Sequence, residues 1–278
     1  MYKEDTVFYP QDEMNTSLLP VTSGCPYNRC KFCSMYKDDK FSEVAFRDIE
    51  LELKNMDLYT ERLFLVGADP LVIGFNKMEK LLDTIHKYLP YCATISSYAS
   101  IKSVSKYTVE ELEVLHRKAL RFLYIGFETG RNDILELMNK GHTREEAVEQ
   151  AKKLNKANLP FNTIVMYGIA GKGESVENAI ETASMVNSFV TNELITMNLL
   201  IMEGTELEEM VKEGEFTPPS RKERLREVKT LVENLDQDYK LSFNTSHPSN
   251  IIKIKGELPR DKNRLVNKIE TSIRELGL

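Results

Sequence analysis

With 278 residues, 41% of them hydrophobic, the chain is long enough to bury one sizeable core and stays within the range of a single α/β barrel. Its 43 acidic against 37 basic residues leave a net charge of −6, which gives no overall attraction to nucleic acid or anionic lipid. No basic segment followed by an apolar stretch opens the sequence, and no apolar run approaches the roughly 18 residues of a membrane span, so a cytoplasmic protein without a membrane partner is expected.

In chain order, a short apolar run predicts a first strand over 18–21, and the loop after it carries Cys25, Cys30 and Cys33. Helical spacing over 44–53 leads to a second strand over 63–66, which runs into Gly67-Ala68-Asp69-Pro70. A helix over 78–85, a strand over 93–97 and a helix over 109–120 follow, the last opened by the capping pair Thr108 and Glu111. The fourth strand, 122–127, ends in Glu128-Thr129-Gly130. Thr143 and Glu146 cap a helix over 147–154, before a strand over 162–167, a glycine-rich loop over 168–174, a helix over 179–186 and a sixth strand over 194–201. Alternation of this kind predicts the α/β class, either a partial (β/α)6 barrel or an open doubly wound sheet. Either arrangement places ligands beyond the carboxyl ends of the strands, where these loops fall.

Thr217-Pro218-Pro219-Ser220 breaks the pattern. We expect a main domain over 1–216, with a short N-terminal extension, and a C-terminal α/β extension over 217–278 packed on it. The extension reads as a charged helix to about residue 235 capped by Ser220 and Glu223, a polar stretch over 243–250, a strand around 251–254 and a terminal helix. His86 and His116 fall on outer helices, His142 in a turn, and His247 in the polar stretch, which would line the open side of the barrel. Basic residues between Lys253 and Arg274 alternate with acids, the pattern of a solvated face, so nucleic acid is not expected as a partner.

Three thiolates converging from one short loop form a metal centre with one ligand fewer than a closed tetrahedral site requires. A 4Fe-4S cluster with one iron free of protein ligands fits this set. A zinc site completed by Cys92 or a histidine, an electron-transfer cluster with an external ligand, and a metallo-assembly factor fit it too. Glu128, an acid ending a buried strand, needs a partner there, a ligand group or a neighbouring lysine or arginine.

Gly24-Cys25-Pro26-Tyr27-Asn28-Arg29-Cys30-Lys31-Phe32-Cys33 resembles the cluster loop of the radical S-adenosylmethionine superfamily, with four residues between the first two cysteines where most members have three. The resemblance spans about residues 18 to 205 and is nearest in style to tRNA methylthiotransferases, Elongator catalytic subunits and oxygen-independent coproporphyrinogen oxidases. It implies a 4Fe-4S cluster on Cys25, Cys30 and Cys33, S-adenosylmethionine as cofactor, and reductive cleavage to a 5′-deoxyadenosyl radical. It further implies Phe32 beside the adenine, Gly67 and Asp69 in an amine-binding loop resembling Gly-Gly-Glu-Pro, Glu128 toward the ribose or amine, and Ile169 in an adenine-contacting motif. Tyr167 stands where that motif has glycine and is expected to face substrate. An electron donor such as a flavodoxin or ferredoxin is the implied partner; the resemblance names neither substrate nor catalytic residue.

Overall fold

The computed structural model describes residues 8–275, so the first seven residues of the expected N-terminal extension and the last three of the C-terminal one lie outside the described residues. The chain gathers into two compact units. The first comprises Met1–Asn28, Tyr36–Ile125 and Lys153–Phe161, and the second Arg29–Met35, Gly126–Lys152 and Asn162–Leu278.

In the first unit, β1 (Ser17–Pro20) pairs in parallel with β4 (Arg62–Val66), β4 with β5 (Thr94–Ala99), and β5 with the start of β6 (Leu120–Glu128). Between β1 and β4 come the short antiparallel pair β2 (Thr22–Ser23) and β3 (Ser42–Glu43), then α1 (Phe46–Asn55). Leu63, Phe64, Leu65 and Val66 are all buried, as expected of a parallel strand covered on both faces. α2 (Phe75–Tyr88) and α4 (Val109–Arg117) bury Met78, Leu81, Leu82, Ile85, Leu112 and Leu115 in the core, and the single turn α3 (Ile101–Val104) follows β5. The predicted capping box of α4 is present in both directions, Thr108 Oγ1 accepting from Glu111 N–H at 3.2 Å and Glu111 Oε2 from Thr108 N–H at 2.9 Å. The helix expected to reach residue 120 stops at Arg117, because Ala119 adopts a left-handed φ of 67° and Leu120 already pairs with Ile95.

In the second unit, α5 (Asn132–Leu137) follows β6, and α6 (Arg144–Lys156) leads to β7 (Phe161–Tyr167). α7 (Ser175–Val186) connects β7 to its parallel neighbour β8 (Glu193–Asn198). Gly130 lets α7 approach closely, since a Cβ there would collide with the Glu181 carbonyl. α8 (Glu206–Lys212) and α9 (Arg221–Asn234) precede β9 (Leu241–Asn244), which pairs in parallel with β8 and antiparallel with β10 (Lys255–Leu258), and α10 (Lys262–Glu275) ends the chain. Residues 217–278 therefore contribute two strands to this sheet.

The six predicted parallel strands correspond to β1, β4, β5, β6, β7 and β8. Two expectations fail in the last third. The strand anticipated around 251–254 is displaced to β10: Thr245 Oγ1 takes the Ile254 N–H at 2.8 Å and Tyr167 Oη takes the Ile251 N–H at 3.1 Å, leaving no free ladder there. β8 ends at Asn198 rather than 201, because Arg224 Nη1 donates to the Leu199 carbonyl at 2.7 Å and diverts the chain. Asp261 binds both Arg260 and Arg264 at 3.1 Å on the terminal helix's approach, consistent with a solvated face of mixed charge. Among the described residues, no helix is long and apolar enough to cross a membrane.

Candidate active site

Cys30, Phe32 and Cys33 belong to the second unit, where the backbone of their loop is tied down on two sides. Lys31 N–H donates to the Met138 carbonyl at 3.1 Å, Asn139 Nδ2 to the Arg29 carbonyl at 3.0 Å, and Leu207 N–H to the Lys31 carbonyl at 3.0 Å. Phe32 packs in one apolar cluster with Ile134, Met138, Ile169, Leu207 and Phe216, and Cys30 and Cys33 lie against that cluster. The structure thus brings together Phe32, Ile169 and two of the three predicted thiolates.

Glu128 ends β6 in the same unit, 6% exposed and with a left-handed φ of 64°, an uncommon conformation for a residue bearing a side chain. Its Oε1 accepts from Lys140 Nζ at 2.6 Å, the neighbouring basic side chain anticipated as an alternative to a ligand. Its Oε2 is buried and has no hydrogen-bond partner among the described residues. Gly126 makes room for the pair, since a Cβ there would press on both Glu128 Oε1 and Lys140 Nζ. Burial alone would lower the Lys140 pKa; the Glu128 carboxylate and the Cys30 and Cys33 sulfurs outweigh it and hold the ammonium above its ordinary value.

Cys25, Gly67 and Asp69 belong to the first unit. Cys25 Sγ accepts from Asn28 N–H at 3.3 Å, in a turn where Asn28 has φ 47°. Gly67, with φ 143°, lies against β2 so closely that a Cβ would collide with Thr22 Oγ1. Asp69 is 4% exposed; its Oδ2 accepts from Ser100 Oγ at 2.6 Å, while its Oδ1 is buried without a partner among the described residues. Burial raises its pKa, opposed chiefly by the hydrogen bond from the Ser100 hydroxyl. None of the four cysteines forms a disulfide; the three of the loop are half-buried, whereas Cys92 is buried and its thiol is pushed up to about 11 by burial.

The loop after β7 is held largely by groups the sequence reading missed. Glu227 on α9 accepts from Gly168 N–H at 2.9 Å and from Asn178 Nδ2 at 2.7 Å, and burial pushes its carboxyl up to about 7 against those bonds. Glu223 takes Gly173 N–H at 2.8 Å, and the Arg224 guanidinium lies over Gly168. One signal for Glu227 exists in the sequence, a charge standing in the apolar stripe of Leu225, Val228 and Leu231. Lys140, in an Asn-Lys-Gly turn, has none. Tyr167, expected to face substrate, is 3% exposed and spends its hydroxyl on Ile251 N–H. His86 and His116 each place Nδ1 on a backbone carbonyl, at 2.8 and 3.1 Å, and His247 Nδ1 meets Ser249 Oγ at 2.7 Å.

Among the described residues, no group of three or more His, Cys, Asp and Glu side chains is arranged to hold a single metal ion. In donor chemistry alone, the three loop thiols are of the kind that holds a 4Fe-4S cluster, and Asp69 in the first unit and Glu128 in the second each keep one buried oxygen without a partner among the described residues, as groups that meet the amine and hydroxyls of S-adenosylmethionine would.

The family model described as the radical SAM superfamily matches residues 19–186. The chain is 24% identical over 277 residues to the tRNA-2-methylthio-N(6)-dimethylallyladenosine synthase of Fusobacterium nucleatum subsp. nucleatum, covering 95% of this chain and 60% of that protein. It is 25% identical over 271 residues to the biotin synthase of Clostridium perfringens, covering 91% of this chain and 82% of that one. Its fold resembles the crystal structure of methylornithine synthase with a TM-score of 0.59 at 15% identity, over 92% of this chain and 81% of the other. That likeness bears out the partial (β/α)6 barrel.

Proposed function

The chain belongs to the radical SAM superfamily, and from that premise we propose that it cleaves S-adenosylmethionine reductively and directs the resulting 5′-deoxyadenosyl radical at a substrate. The observation that carries this reading is the pair of buried acids, Asp69 after β4 and Glu128 at the end of β6, each with one oxygen fixed by the protein and one without a partner among the described residues. A buried acceptor without a donor is costly, on the order of 1–3 kcal/mol, and two such acceptors after parallel strands suit a ligand rich in N–H and O–H groups.

Cys25, Cys30 and Cys33 would hold the 4Fe-4S cluster, which supplies one low-potential electron when bound. Asp69 Oδ1 would accept from the cofactor's ammonium, and Glu128 Oε2 from its ribose or amine. Phe32 and Ile169, members of one apolar cluster, would flank the adenine and keep water from it. The Ser100 and Lys140 contacts hold the two carboxylates in place, so their orientation is set before the cofactor arrives. A flavodoxin or ferredoxin would deliver the electron.

The test is turnover without substrate. Anaerobically reconstituted protein with dithionite and S-adenosylmethionine is expected to form 5′-deoxyadenosine and methionine slowly, and Cys33→Ala to form none. Binding of S-adenosylmethionine with no 5′-deoxyadenosine under any reductant would overturn the reading in favour of a non-catalytic carrier or assembly protein.

A further inference from the structure

Lys140 is a half-buried cation beside the cysteine loop. Its side chain is 19% exposed, its Nζ lies 2.6 Å from Glu128 Oε1 and 6.0 Å from the centre of the Phe32 ring, and that phenylalanine stands between Cys30 and Cys33 in the loop. Its place is fixed by the backbone. Asn139 turns the chain with φ 50°, Lys140 N–H returns to the Leu135 carbonyl at 2.9 Å, and the two preceding residues hydrogen-bond to the cysteine loop through the Met138 carbonyl and Asn139 Nδ2. With the backbone so anchored, the 2.6 Å ion pair with Glu128 holds the ammonium on this side of the loop.

We propose that the Lys140–Glu128 pair sets the reduction potential of the cluster, Lys140 raising it and Glu128 moderating that rise. Reduction adds one negative charge to a centre that three thiolates already make anionic. A fixed ammonium in a poorly solvated site stabilises the reduced state more than the oxidised one, and the carboxylate on its other side cancels part of that field. The two members of the pair therefore act with opposite sign, which no purely structural role would produce. The proposal rests on the cluster assignment above.

The experiment is an anaerobic redox titration, followed by electron paramagnetic resonance, of the reconstituted full chain and of Lys140→Met, Lys140→Arg and Glu128→Gln, with iron and sulfide measured in each. Expected are a lower midpoint potential in Lys140→Met, a higher one in Glu128→Gln, and a value near wild type in Lys140→Arg, which keeps the charge. Potentials unshifted in both neutralised variants, or shifted in the same direction, would overturn the proposal while leaving the cluster assignment intact. If Lys140→Met fails to hold a cluster, Glu128→Gln decides alone, and an unshifted or lowered potential there overturns it. Wild-type protein that acquires no iron and sulfide overturns this proposal and the cofactor reading together.

Discussion

Asp69 and Glu227 are both buried acids raised by burial, yet different measurements reveal them. Asp69→Asn keeps an oxygen for Ser100 but loses the charge that would meet an ammonium, so titration calorimetry should show S-adenosylmethionine binding weakened by about 1.5–3 kcal/mol, roughly tenfold or more in Kd. Unchanged affinity would make Asp69 only an anchor for Ser100. Glu227 speaks through pH. Its folded pKa of about 7 lies above the ordinary 4.5, so the folded chain holds this proton more tightly than the unfolded one. Its contribution to stability is full below about pH 4.5 and falls as pH rises to about 7, by on the order of 3 kcal/mol. Denaturant unfolding should therefore show wild type losing stability against Glu227→Gln across that window, and parallel curves would refute it. Residues whose chemistry repeats at a fixed spacing, such as the cysteines, were legible in the sequence. Lys140 and Ser100 were not, because nothing local distinguishes a buried lysine or serine from a solvated one.

Capping pairs located helix starts well, since both partners of such a pair lie within four residues and their chemistry is local. All three expected pairs close: Thr108 with Glu111, Thr143 with Glu146, and Ser220 with Glu223. The last carries more than a helix start, because Glu223 also holds Gly173 N–H after β7. Ser220→Ala should cost about 1 kcal/mol of stability and speed hydrogen exchange at the Gly173 amide; equal exchange in both proteins would mean that the helix start and the loop are independent. β9 escaped the sequence reading for a physical reason: Leu-Ser-Phe-Asn is four residues long with two polar side chains, and only its pairing with β8 and β10 makes it a strand. The same non-local hydrogen bonding moved the expected strand at 251–254 to β10.

At the scale of the molecule, each compact unit is assembled from three separate stretches of chain, an arrangement that windowed periodicity does not encode. What did survive from sequence to structure is the succession of six parallel strands along the chain and the placement of Gly67, Asp69, Glu128 and Ile169 after or at their carboxyl ends, because both are read from βα alternation. The contrast among the four cysteines has a practical consequence. Alkylation requires an accessible thiolate, and Cys92 is 2% exposed with its thiol raised to about 11, while Cys25, Cys30 and Cys33 are half-buried. Iodoacetamide applied to folded chain stripped of its cluster should add three carbamidomethyl groups, seen by mass spectrometry, and a fourth only as the chain unfolds. Rapid fourfold labelling of the native protein would contradict this, and slow fourth labelling turns Cys92 into a built-in clock for global opening.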